Sequence, residues 1–110
     1  MPDASSILIA NGLPALAEQN PILEGKVSPH FTYDGTGFRI RHLAFDAGAV
    51  LAEHKAPLPI IVQVVEGSVE FTVDGQTHTM GTGAILYVAA ENPHAVAALE
   101  RARLIVTLVG

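Results

Sequence analysis

Apolar positions along this chain recur in short β-branched runs, and a glycine or proline interrupts them roughly every eight to twelve residues, the rhythm of an all-β barrel or sandwich. Long helical periodicity is absent. The one helix predicted is PALAEQN at 14–20, where Pro14 suits a first helical position and Pro21 blocks extension. Alternation between turn residues then predicts strands near 22–28, 30–33, 37–46, 50–54, 60–66, 68–74, 76–80, 84–88, 94–99 and 102–109. In EFTVDGQTHTM, Asp74-Gly75 can supply the positive φ angles of a type I′ turn between two alternating arms, which predicts a hairpin. Gly67 in VVEGSV predicts a second tight reversal.

Side chains alternate across a strand, so Ile60, Val62 and Val64 share one face of 60–65 and Ile61, Gln63 and Val65 the other. Both sets are largely apolar. This predicts a strand covered on both sides, one face lining the barrel interior and the other meeting a second sheet or a subunit, with Gln63 needing a hydrogen-bond partner if buried. In GFRIRHLAF the same rule sets Phe38, Ile40, His42 and Ala44 against Arg39, Arg41, Leu43 and Phe45, without assigning the inner face. Phe45, Phe71 and Tyr87 are expected in the core.

Composition narrows this picture. At 110 residues the chain is expected to form one domain, 1–110, burying more than about 60% of its unfolded surface without disulfides or a structural metal. Only 15% of residues are charged, so some apolar surface is expected to be covered by a second copy, and a homodimer is predicted. A net charge of -5 with six Lys and Arg and no basic run argues against nucleic acid and anionic membranes. The absence of cysteine removes disulfides, thiolate metal sites and cysteine nucleophiles, and fits a reducing cytosol. The first seventeen residues lack a cationic region and are interrupted by Asn11, Gly12 and Pro14, so neither a signal peptide nor a membrane span is expected, and the protein is placed in the cytoplasm. There is no Gly-rich phosphate loop, paired-carboxylate spacing or serine elbow.

The remaining chemistry lies in histidines set against glycines. Gly48 is followed by five residues, His54-Lys55-Ala56, three residues, Ile60, six residues and Gly67. Gly83 is followed by five residues, Ala89-Ala90-Glu91, two residues, His94, three residues and Ala98. This double spacing around a central hairpin, over about 38–109, resembles the two motifs of the cupin superfamily, in its small single-domain, RmlC-like form. The first of those motifs carries His-X-His and then Glu between its glycines; the second carries Pro-X-Gly, His and Asn. Here Ala56 and Ile60 replace the second His and the Glu, and the Pro, Gly and Asn of the second motif are also missing.

The resemblance implies a β-barrel or jelly roll with an internal pocket, and residues 1–37 packing on the barrel or on a partner subunit. In metal-binding cupins the four motif positions hold one divalent ion, and only His54 and His94 remain of the four. A zinc, nickel, iron or manganese site would need a third donor, for which His42 is a candidate. The leading expectation is therefore a small-molecule ligand in a pocket formed by His54, Ala56, Ile60, Val62 and His94, the histidines at its floor. The alternatives are a metal-dependent dioxygenase or isomerase with a third ligand not evident from sequence, and a non-catalytic dimerisation module.

Overall fold

Among the described residues the alternating runs fold into one helix and nine strands: α1 (Gly12–Gln19), β1 (Val27–Gly35), β2 (Phe38–Phe45), β3 (Val50–His54), β4 (Ile60–Glu66), β5 (Val69–Val73), β6 (Gln76–Met80), β7 (Ile85–Val88), β8 (His94–Ala98) and β9 (Ala102–Val109). This computed structural model describes residues 5–110, so the part of the N-terminal expectation that falls on residues 1–4 lies outside the described residues. The strands form two antiparallel sheets, β1-β2-β9-β4-β7 and β3-β8-β5-β6, packed as a jelly roll. Phe45, Val62, Val64, Val69, Phe71 and Leu104 fill the space between them.

One expected pair of strands becomes a single element. Residues 22–26 turn instead of extending, with Lys26 N donating to Leu23 O, and Pro29 is carried inside β1. A proline is tolerated there because β1 is an edge strand. The Asp74-Gly75 hairpin forms as expected, both residues at positive φ (54° and 71°), joining β5 to β6. Gly67 is required for a further reason: a Cβ there would lie 2.0 Å from the Arg101 carbonyl oxygen.

Helix α1 is tied to the outer face of the five-stranded sheet through its C-cap residue, Asn20. Its buried Leu16 is followed by Asn20, whose Nδ2 donates to Ser28 O (2.8 Å) and His42 O (3.2 Å). Arg103, on the outer side of β9, donates to Asn20 O (2.7 Å) and to Glu66 Oε1 (2.9 Å). A buried guanidinium is thus matched by a carboxylate and a carbonyl, the condition under which a buried charge is tolerated.

The outer face of β4 and β7 is open, which corrects the expectation that β4 is covered on both sides. Ile60, Val62 and Val64 do point inward, but Ile61 and Gln63 are exposed. Gln63 therefore stands in water and needs no protein partner. Tyr87, expected in the core, lies opposite Ile61 in register and is 64% exposed. A strand apolar on both faces is here a strand with one face uncovered.

Candidate functional site

Between the sheets lies a cavity of about 270 Å³. β2 contributes Arg41 and Leu43, β4 contributes Ile60 and Val62, and β9 contributes Leu104, Val106 and Leu108; the facing sheet adds Leu51, His54, Phe71, His94 and Val96. Ala56 lines it from the loop after β3. All five residues singled out from the sequence, His54, Ala56, Ile60, Val62 and His94, thus border one space. Its polar side chains are Arg41, His54 and His94.

A β-bulge brings the two imidazoles together. Leu51 pairs with Val96 and His54 with His94, so three steps along β3 match two along β8. Without the extra residue, alternation would turn His54 away from the face that Leu51 occupies; bulges re-aim side chains in this way. The ring centroids are 4.3 Å apart at 65°. His94 also stacks on Phe71, centroids 5.4 Å apart. The two are not both at the floor: His94 is buried at 4% exposure, whereas His54 is exposed at the rim.

The hydrogen bonds fix the tautomers. His54 Nδ1 lies 3.0 Å from Ala52 O and His94 Nδ1 2.9 Å from Asn92 O. A carbonyl oxygen only accepts, so each Nδ1 carries the proton and each Nε2 keeps a lone pair. Burial pushes the His94 pKa down, the Asn92 carbonyl opposes this, and the neighbouring His54 adds to the lowering. The buried ring of the pair is held neutral.

The loops beside the pair are tied to each other. Glu91 N donates to Ala56 O (2.8 Å), and the Glu91 carboxylate meets Lys55 Nζ at 3.3 Å. Glu91 stands at φ 65°, in the left-handed region, at the position where the motif resembled in the sequence has a glycine. That glycine is a backbone requirement, which this chain meets with a strained residue.

His42 is not a third ligand. It lies on the opposite face of β2 from Arg41 and Leu43, fully buried, and contributes nothing to the cavity wall. Its Nε2 lies 3.3 Å from Arg103 Nη1, which can only donate, so Nδ1 holds the proton and meets no acceptor among the described residues. Burial, then Arg103, then His30, lower its pKa to about 4. Among the described residues no group of three or more His, Cys, Asp or Glu side chains could hold a metal ion. Two imidazoles fall short of the three protein ligands that catalytic zinc sites keep and of the two-histidine, one-carboxylate set of non-haem iron, so the donor set does not fit a resident metal.

The inward position of Arg41 was left open by the sequence. The signal was present in Phe45, which shares its register and is fully buried. Leu51, Phe71 and Val96 also line the cavity, and no motif marks them.

A family model described as "Cupin domain" matches residues 41–110. Among solved structures, a Cupin 2 conserved barrel domain protein from Leptotrichia buccalis aligns at 29% identity and TM-score 0.79 over 87% of this chain, which spans 47% of that one. An RmlC-like cupin from Desulfovibrio desulfuricans aligns at 26% identity and TM-score 0.73, covering 79% of this chain and 85% of its own. A conserved protein of unknown function from Streptococcus pyogenes shares the fold at 20% identity and TM-score 0.77, covering 97% and 89%. Among curated proteins none matches the chain significantly. No helix among the described residues is long and apolar enough to cross a membrane.

Proposed function

The chain belongs to the cupin family, and we propose that its barrel binds a small, largely apolar organic molecule, with His54 and His94 offering Nε2 lone pairs to hydrogen-bond donors of that molecule. The observation that carries this reading is the cavity wall itself: about 270 Å³ enclosed by leucine, isoleucine, valine and phenylalanine around three polar side chains. Ligand sites are concave, mostly apolar and furnished with few orienting polar groups, and this volume falls just under their usual range of about 300–1,000 Å³, which favours a small ligand. Ala56 and Ile60, standing where the family motif has metal ligands, add apolar wall.

Primary amides from butanamide to octanamide, each an apolar chain with an N–H donor, are suitable probes. A bound amide at ten times its dissociation constant stabilises the protein by about 1.4 kcal/mol. That raises Tm by about 5–10 °C in a chain of this size. Ala56→Phe, which fills the cavity from the loop, abolishes the rise. Thermal unfolding with and without each amide checks this, and no shift at any chain length contradicts it.

One observation favours the metal-enzyme alternative: an Nδ1 proton given to a carbonyl is also how metal-ligating histidines are oriented. It supports a site that has lost its metal partners as well as one that uses them, and two donors favour the former.

A homodimer also belongs to this reading. Ile61, Ile85 and Tyr87 form exposed apolar surface on the outer face of β4 and β7, and exposed patches of that kind mark interaction surfaces. Light scattering at micromolar concentration is expected to give twice the 11.5 kDa chain mass. Tyr87→Lys is expected to shift the protein to monomer; a wild-type monomer contradicts the assignment.

A further inference from the structure

The cavity wall carries one full charge, and it is positive. Arg41 reaches it from β2, while among the described residues no Asp or Glu side chain lines the space. The edge strand β1 holds the guanidinium in place: Nη1 donates to Asp34 Oδ1 and to Ile40 O, and the Phe31 ring lies 4.3 Å from its central carbon. Those bonds engage one of its three nitrogens. Arg39, in the same β2 register, also pulls on Asp34 and makes no ion pair among the described residues. Two guanidiniums therefore face one carboxylate, a local positive surplus on a chain of net charge -5.

An ion pair that merely fastens an exposed edge strand contributes little to stability and does not need its cation turned to an apolar cavity. A planar guanidinium with a free edge matches a carboxylate in two parallel hydrogen bonds. A dianionic phosphate would bring a second charge into a wall with no further cation to meet it. We infer that the cavity takes a small monocarboxylate that also carries a hydrogen-bond donor, its carboxylate on Arg41, its apolar body between the sheets and its donor toward His54 and His94. This rests on the small-molecule reading above and names the chemical class of the ligand.

The test compares each acid from butanoate to octanoate with its own amide, by calorimetry near neutral pH. The wild type is expected to bind the best acid at least about tenfold more tightly than its amide, as a charge-assisted pair requires. Arg41→Gln brings acid and amide within about twofold of each other, and Arg39→Gln, which removes the same charge outside the cavity, keeps most of the preference. The wild-type comparison stands even if Arg41→Gln folds poorly. An acid no tighter than its amide at every length overturns the assignment, as does a preference that survives Arg41→Gln or is lost equally in Arg39→Gln. Equal binding of acid and amide sinks only the carboxylate, whereas no binding of either sinks the small-molecule reading with it.

Discussion

Zinc binds the wild-type protein weakly, and the double variant Ala56→His, Ile60→Glu binds it at least about a hundredfold more tightly. The two imidazoles meet at 4.3 Å, and among the described residues neither Nε2 lone pair is committed to a hydrogen bond. Ala56 and Ile60 border the same cavity, so a histidine and a carboxylate there complete a four-donor set. Losing an outer-shell partner alone typically costs about 10–100-fold in metal affinity, and restoring two direct ligands must exceed that. The variant is less stable without metal, because Ile60 is 4% exposed and a carboxylate in its place loses water without gaining a partner. Calorimetric titration of chelator-treated protein measures both affinities. Tight binding of one equivalent by the wild type means that a donor outside this set exists, and the metal-enzyme alternative then moves ahead.

Acidification from pH 7 to pH 4 removes about 3 kcal/mol of stability through His42, a loss that His42→Gln largely abolishes. The unfolded histidine takes its proton near pH 6.5, whereas the folded one, buried beside Arg103, resists until about pH 4. Between those values the unfolded state binds more protons, so stability rises with pH through the window and falls on acidification. Each pKa unit is worth about 1.4 kcal/mol, which over the gap gives the stated size. His94, also lowered, adds a loss of the same sign that remains in the variant. Asp34 and Asp46, both lowered below their ordinary 3.8, lose their contribution only at lower pH. Urea unfolding at several pH values reads the difference in slope; parallel curves for wild type and His42→Gln show that His42 titrates normally.

Much of the barrel could be read from alternation and turns, because a period of two and a type I′ dipeptide are local properties. Asp74-Gly75 and the inward set Ile60, Val62 and Val64 needed nothing beyond their own stretch of chain. The failures have tertiary causes. Ile61, Gln63 and Tyr87 are exposed because nothing among the described residues covers the outer face of β4 and β7, and no sequence period records which part of a sheet stays open. His42 looks like a ligand candidate by residue type, yet the strand's parity sends it to the outer face, where it meets Arg103 from the far end of the chain. The His54 and His94 pairing was legible in the motif spacing, while the bulge that aims His54 was not, since its extra residue shows only against β8.

The most direct measurement of the account is nitrogen-15 NMR of the imidazole side chains in metal-free protein, before and after addition of the primary amide that stabilises it most. The expected spectrum shows His54 and His94 both protonated on Nδ1, with an unprotonated Nε2 on each, and both Nε2 resonances move together as the amide binds. Protonated Nε2 on either ring, or an amide that binds while both resonances stay where they were, would contradict it.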